Sequence, residues 1–267
     1  KFNVIAFSFT LTAAARLLAE HYRNKDYPNL KSCIFSPAFG LLAFWLSTLQ
    51  LKAVYYVGTL NPYLVQITDG NEDQISHFTE VFCFIQFGGV LASPLGGSIL
   101  DRNKGLPNRQ AYDDVRDNVL GFTVTSSLFI LFSICNIIPV LEVQYITFIL
   151  QVVTRSFLYG ILVSSIANTF PSQYYGSLIG FNSGIGAVMI VIQYPLFIIT
   201  QKVFNNDPLI VNAFLLVACV TTLVVPVYFY FYAKRKNAEV DQLRQSPQNI
   251  NEPEVKKSTV FTISGLQ

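Results

Sequence analysis

Six stretches of the chain are apolar over most of their length, and this pattern constrains the fold more than any other feature. A helix needs about 20 apolar residues to cross the hydrocarbon core of a bilayer. Only 13% of the residues are charged, against roughly 25% in soluble domains. The sequence therefore predicts an all-α membrane protein and excludes an ordinary soluble enzyme. The predicted spans are residues 37–61, 76–100, 119–138, 143–169, 176–201 and 208–233.

The basic residues divide unequally among the segments that connect these stretches. Fourteen of the 18 lie in residues 16–36, between the second and third stretches, or after the sixth. The loops of the opposite side contain Lys202 as their one basic residue, together with Asp69, Glu72, Asp73 and Glu142. Cytoplasmic loops of membrane proteins carry the excess of Lys and Arg. We therefore expect the basic loops and the C-terminal tail in the cytoplasm.

The two ends of the chain contain three further segments. Residues 1–19 are interpreted as the end of a preceding membrane helix, and 20–36 as a basic cytoplasmic loop. Residues 234–267, with mixed charges and two prolines, are expected to form a disordered cytoplasmic tail. A cleaved signal peptide over 1–19 is the alternative, but it would place 20–36 outside and contradict the charge distribution.

Two segments on the basic side resemble loops of the major facilitator transporters. In SPLGGSILDRNKG, a conformational motif of the form Gly-x-x-x-Asp-Arg-x-x-Gly is made by Gly97, Asp101, Arg102 and Gly105. Glycine permits close helix approach, the Asp can cap or pair with a helix end, and the Arg anchors at the membrane interface. The segment NTFPSQYYGSLIGFNSG, residues 168–184, is similar to the second cytoplasmic turn of the same half.

A more specific resemblance is carried by VQYITFILQVVTRSFLYG, residues 143–160, with GTLNPYL at 58–64, QYPLF at 193–197 and DPLIVN at 207–212. These segments resemble solute carrier family 43, and within it the equilibrative nucleobase transporter branch. The sibling branch transports large neutral amino acids. On the family's pattern, the six spans are helices 7–12, the six-helix C-terminal bundle of a twelve-helix major facilitator fold, preceded by a partial helix 6. The N-terminal six-helix half would be missing.

Polar residues inside the spans are the candidates for solute binding, because such groups are costly in a bilayer and usually functional. Arg155 lies near the middle of the fourth span, with Gln151 and Tyr159 one turn to either side. Either Arg155 donates hydrogen bonds to the solute, or it pairs with an acceptor on a neighbouring helix. The other candidates are Lys52, expected to extend partly toward the outer surface, and Tyr55, Gln86, Asn182 and Gln193.

The fifth span contains a regular glycine spacing. Gly176, Gly180 and Gly184 recur every four residues, so they share one helical face. Small residues at this spacing are typical of faces where membrane helices pack closely, and we interpret them in this way.

The remaining predictions concern function. Glu80 and Glu142 are peripheral, and the absence of a carboxylate near the midplane favours facilitative rather than proton-coupled transport. The resemblance implies a plasma-membrane protein that transports purine nucleobases by alternating access. The alternatives are sodium-independent uniport of large neutral amino acids, or a non-transporting scaffold. The expected partners are a small polar solute, the bilayer and the missing half. No cofactor or nucleic acid is expected, and the four isolated cysteines do not indicate a metal site.

Overall fold

The computed structural model describes residues 19–102, 110–204 and 207–245, except for the side chains of Ser93, Leu95, Ile99, Asp101 and residues 243–245. These parts of the chain are helical and contain no strand, which confirms the all-α class. The helices are α1 (residues 19–26), α2 (Leu30–Ile34), α3 (Pro37–Ile67), α4 (Glu72–Gln86), α5 (Gly89–Asp101), α6 (Asp113–Ile137), α7 (Leu141–Thr169), α8 (Tyr175–Ile190), α9 (Gln193–Lys202), α10 (Leu209–Thr221) and α11 (Val224–Gln245).

Within the described residues, six helical segments are long and apolar enough to cross a membrane. In chain order, the first to sixth spans are Pro37–Ile67, Glu72–Ser98, Asp113–Ile137, Leu141–Thr169, Ser172–Lys202 and Leu209–Gln242. Each span lies over one of the predicted apolar stretches. Several are longer, because polar residues at their ends continue the helix. The predicted end of a preceding helix, over residues 1–18, lies outside the described residues.

The second, fifth and sixth spans each consist of two helices separated by a two-residue break. Pro195 and Pro226 lie four residues after the breaks begin at Val191 and Thr222. Proline has no N–H to donate, and its ring clashes with the carbonyl group four residues earlier. The break in the second span falls at Phe87–Gly88 and is followed by a second glycine. These breaks interrupt the regular backbone hydrogen bonding inside the apolar part of the molecule.

The sixth span extends further than the sequence predicted, so the expectation of disorder is wrong for residues 234–245. These residues continue α11 to Gln245. The Lys236 ammonium lies 2.9 Å from the Asp26 carboxylate, and Asn237 Oδ1 accepts a hydrogen bond of 2.9 Å from the Tyr112 backbone N–H. These contacts hold the helix against the end of the bundle. Residues 246–267 lie outside the described part of the chain.

The segment 20–36, expected as a loop, contains α1 and α2 and packs across the same end. The Arg23 guanidinium donates to the carbonyls of Ala167 and Asn168 at 3.1 and 2.9 Å. A cation is stabilised there because carbonyls at a helix C-terminus carry partial negative charge. Burial raises the pKa of Glu20, but hydrogen bonds from Ser172 and the nearby Arg23 charge outweigh it, so the pKa is lowered overall. We call this end of the molecule the basic end.

The first span is the central helix of the bundle. Of its most apolar 18-residue segment, 67% of the residues are buried, against 19% for the corresponding segment of the second span and 11% for that of the fifth. Trp45 packs edge-on against Phe122, with 4.9 Å between ring centroids, and its indole N–H donates to the Ser126 hydroxyl at 3.0 Å. The second and fifth spans are therefore the least covered, and their exposed side forms what we call the open face.

The closest glycine contacts lie away from the predicted stripe. A Cβ at Gly121 would lie 2.4 Å from Ile161 Cδ1, and a Cβ at Gly186 would lie 2.9 Å from Gln50 Oε1. Gly176, Gly180 and Gly184 are exposed, and a Cβ added to any of them meets nothing within 4 Å. The glycine stripe therefore does not pack against another helix in the described chain, and its role as a packing face stays a prediction.

Substitution of Gly121 by alanine tests this packing. We expect Gly121→Ala to destabilise the protein by about 1–3 kcal/mol, because the new methyl group forces Ile161 to move. The measurement is the Tm of the purified protein in detergent. Gly40→Ala is the matched control, since Gly40 is exposed and helical with open space around it, and alanine is favoured in helices. Equal Tm values for the two variants would contradict the packing.

Candidate functional site

Arg155 is exposed in the middle of the fourth span. Buried residues adjoin it on the same helix, including Thr154 and Leu158. It makes no hydrogen bond or ion pair with another described residue, so the alternative in which Arg155 ties two helices together has no support in this structure. Tyr159, one turn further on, is 40% exposed. Arg155 and Tyr159 therefore present a cation and a phenol together on the surface of the half-bundle.

Gln151 and Gln86, predicted separately, are brought together. The Gln86 side-chain N–H donates to Gln151 Oε1 at 2.9 Å, joining the second span to the fourth. Gln151 is fully buried, and its Nε2 group has no hydrogen-bond partner within the described residues. The amide pair therefore keeps an unused donor one turn from Arg155.

The break in the second span lies beside these residues. The Ser156 hydroxyl donates to the Gly89 carbonyl at 3.3 Å, and a Cβ on Gly89 would lie 3.4 Å from Val152. The glycine therefore permits close approach of the two spans at the level of Arg155. Discontinuous helices near the bilayer midplane form solute sites in many transporters, since their ends offer free backbone groups.

Asn182 and Gln193 occupy the fifth span on the side that packs against the first. Asn182 is fully buried, and neither its Nδ2 nor its Oδ1 has a partner within the described residues. Gln193 lies just after the break, and its Oε1 is 3.8 Å from the Cβ position of Gly58. An unpartnered buried amide is costly, so Asn182 remains a candidate for a group that is satisfied only when a ligand or another conformation is present.

Lys52 does not extend toward the outer surface, and this prediction is wrong. Its side chain is fully buried, and its ammonium donates to Asn212 Oδ1 at 2.9 Å. Asn136 Nδ2 donates to the same oxygen at 2.9 Å, and the Phe132 ring lies 5.5 Å from the ammonium. The cation is enclosed because three spans converge on it. We call Lys52, Asn136 and Asn212 the lysine cluster.

Tyr55 is also engaged inside the bundle. It is 1% exposed, and its hydroxyl lies 2.7 Å from that of Thr200 in the fifth span. Asn136, Asn212 and Thr200 were missed by the sequence analysis. Each is a single polar residue in an apolar stretch, and partners 76–160 residues apart leave no periodic signal. Their position inside or at the edge of a span was the one available indication.

The conformational motif is described only in part. Gly97 is half-buried and Arg102 is exposed at the end of α5, while Gly105 and the side chain of Asp101 lie outside the described residues. Among the described residues, no group of His, Cys, Asp and Glu could hold a metal ion. The arrangement around Arg155 offers donors, an aromatic ring and no reactive nucleophile, which suits reversible binding of a polar solute.

Comparison with known proteins gives three informative matches. The chain is 37% identical to equilibrative nucleobase transporter 1 of Bos taurus over 76% of the chain and 43% of that relative. It is 26% identical to large neutral amino acids transporter small subunit 3 of Mus musculus over 87% of the chain and 48% of the relative. The human protein of that name is 28% identical over 83% of the chain and 46% of its own length. No protein-family model and no solved structure matches. The chain thus spans about half the length of these relatives.

Cysteine labelling tests the exposure of Arg155. In a cysteine-free background of the full-length protein, Arg155→Cys should react with a small water-soluble methanethiosulfonate at least about tenfold faster than Thr154→Cys, because the reactive thiolate forms where water reaches it. Thr154 is the matched control, since it lies at the same depth and is fully buried. Equally slow labelling of both positions would place Arg155 against lipid or protein and contradict the candidate site.

Proposed function

Because the chain belongs to solute carrier family 43, we propose that it forms one six-helix half of a facilitative transporter of purine nucleobases. The second half would be another six-helix bundle, as the length of the relatives supports. The solute would bind between the two halves and be released on either side as they rock against each other.

The open face is where the second half would dock. The second and fifth spans are the least buried, and they expose large apolar side chains such as Phe84, Leu91 and Val188. A shallow groove of about 580 Å³ follows the glycine stripe and is lined by Gly180, Gly184 and Val188 among others. A helix of the other half would fit close to such a groove, since glycine leaves room for its backbone.

The single observation that carries the proposal is the position of Arg155. A guanidinium exposed in mid-span without a partner in the described chain needs water or a ligand. If this side of the bundle faces a second half, Arg155 would line a water-filled path between the two halves. Arg155 would donate to a carbonyl or ring nitrogen of the solute, Tyr159 would stack on the ring, and the Gln86–Gln151 amide pair would supply a further donor.

The contacts of Lys52 favour a neutral base over an amino acid. A zwitterion needs a partner for each of its charges, but Lys52 is held inside the bundle and no Asp or Glu is buried in the described residues. Arg155 alone would meet the carboxylate, and the ammonium would need an acid from the other half. Sodium-independent transport of large neutral amino acids therefore remains the second candidate, favoured by the two relatives of that name.

The charge distribution supports an orientation. We place the basic end in the cytoplasm because Lys and Arg are retained there during insertion, and the plasma membrane is the location that the family implies. The absence of a buried acid in the described spans supports uncoupled transport.

Initial-rate uptake of labelled adenine and leucine by the full-length protein tests this function. We expect saturable adenine uptake that does not change with sodium or proton gradients. Arg155→Ala should reduce it about 10- to 150-fold, because a hydrogen bond from a charged group contributes about 1.5–3 kcal/mol. Lys202→Ala is the matched control, since Lys202 is an exposed cation at the C-terminal end of the fifth span, away from Arg155.

The outcomes separate the candidates. Leucine uptake without adenine uptake would assign the protein to the amino acid branch. Normal adenine uptake by Arg155→Ala would remove Arg155 from the site. Neither uptake, with surface expression confirmed, would support the non-transporting scaffold instead.

A further inference from the structure

The seam between the first and fifth spans contains amide side chains that do not hold the two spans together. Gln50 lies on the first span, and Asn182 and Gln193 lie on the fifth. Both amide atoms of Asn182 are buried without a partner, and neither Gln50 nor Gln193 hydrogen-bonds to another residue that the structure describes. In the Gln86–Gln151 pair, by contrast, the amides join two spans. A buried amide without a partner is costly, so the seam contains polar groups that do not stabilise this arrangement.

The helical register places Gln50 and Asn182 about one turn apart along this seam. Leu178, Asn182 and Gly186 are the buried residues of α8, and they recur every four positions on one face. A Cβ at Gly186 would lie 2.9 Å from Gln50 Oε1, so the glycine leaves room for the Gln50 side chain. Asn182 lies about 6 Å from Gly186 along the helix axis. The two amides are therefore close enough to contact one small molecule.

Gln50 lies at the edge of the seam, beside the open face. It is half-buried, and Val57, two turns later on the same face of α3, is 41% exposed. Gly184, two residues before Gly186, is exposed in the groove of the open face. Asn182 lies deeper, where the packing of α8 against α3 covers it. A solute on the open face would meet Gln50 first, and would reach Asn182 when α8 moves aside.

The attachment of the fifth span permits such a movement of α8. The Tyr55 hydroxyl lies 2.7 Å from that of Thr200, so a hydrogen bond ties α9 to the first span. Among the described residues, no side chain of α8 hydrogen-bonds to the first span. The break at Val191 and Ile192 separates the two helices. The break can therefore act as a joint that lets α8 move while α9 stays attached.

We infer that Gln50 and Asn182 recognise the exocyclic group of the transported purine and the ring nitrogen beside it. The inference rests on the proposed function and names the residues that determine its specificity. A primary amide offers both a donor and an acceptor, and Asn and Gln pair in this way with the edge of adenine. Turning the amide exchanges donor and acceptor. The same two residues therefore accept adenine, whose exocyclic group donates, and hypoxanthine, whose exocyclic oxygen accepts.

Uptake of adenine and of unsubstituted purine, which lacks the exocyclic group, tests this recognition. In the full-length protein, we expect the KM for purine to exceed that for adenine about fivefold, the effect of one neutral hydrogen bond. Gln50→Leu and Asn182→Leu should each bring this ratio close to one by raising the KM for adenine. Gln66→Leu is the matched control and should preserve the ratio, because Gln66 is an exposed glutamine near the end of the same helix as Gln50.

Thermal unfolding separates loss of recognition from loss of the fold. Asn182→Leu removes a buried amide that has no partner, so the Tm in detergent should be unchanged or higher. The inference is overturned if the natural protein has equal KM values for purine and adenine, or if either leucine variant keeps the natural ratio. A Tm of Asn182→Leu as low as that of Gly121→Ala would also overturn it. Failure of the proposed function is distinct, because the natural protein would then show no saturable adenine uptake, and the inference would fail with it.

Discussion

The side chain of Lys52 is fully buried, and the arrangement of the bundle depends on the contacts that enclose it. In a bilayer no solvent is available to a buried polar group, so each one needs a partner on a neighbouring helix. Asn212 meets this need for Lys52 and joins the first span to the sixth, and Asn136 joins the third span to the sixth by donating to the same Asn212 oxygen. The Trp45 and Tyr55 hydrogen bonds add contacts to the third and fifth spans. These ties fix the first span at the centre.

A central first span leaves one side of the bundle without cover. The second and fifth spans have few buried residues, and the helix of each is interrupted within the span. The fourth span carries Arg155 without a partner in the described chain, next to the Gln86–Gln151 pair and the break in the second span. Polar groups and exposed apolar surface thus occur on the same half-bundle, as expected of a protein that faces a second bundle across a polar path.

The sequence predicted some features well and others poorly, for physical reasons. Apolar length identified the spans, and a cation in mid-span marked Arg155, because both depend on local composition. Helical spacing grouped Gln151 with Arg155, but it could not show that Gln86 would reach Gln151 from another span. Lys52 does not extend toward the surface as expected, because it is held by Asn212, a partner 160 residues away that leaves no local signal in the sequence. The tail after residue 233 was expected to be disordered because its partners, Asp26 and Tyr112, are also far away in the sequence and cannot be identified from local composition.

The central claim is that this half-bundle turns Arg155 toward a second bundle and not toward lipid. A cryo-EM structure of the full-length protein in a lipid nanodisc tests this claim most directly. The account predicts six further helices packed against the second and fifth spans, with Arg155 in a water-filled cavity between the two bundles. A structure in which those spans contact lipid, or in which the Arg155 guanidinium lies against acyl chains, would contradict it.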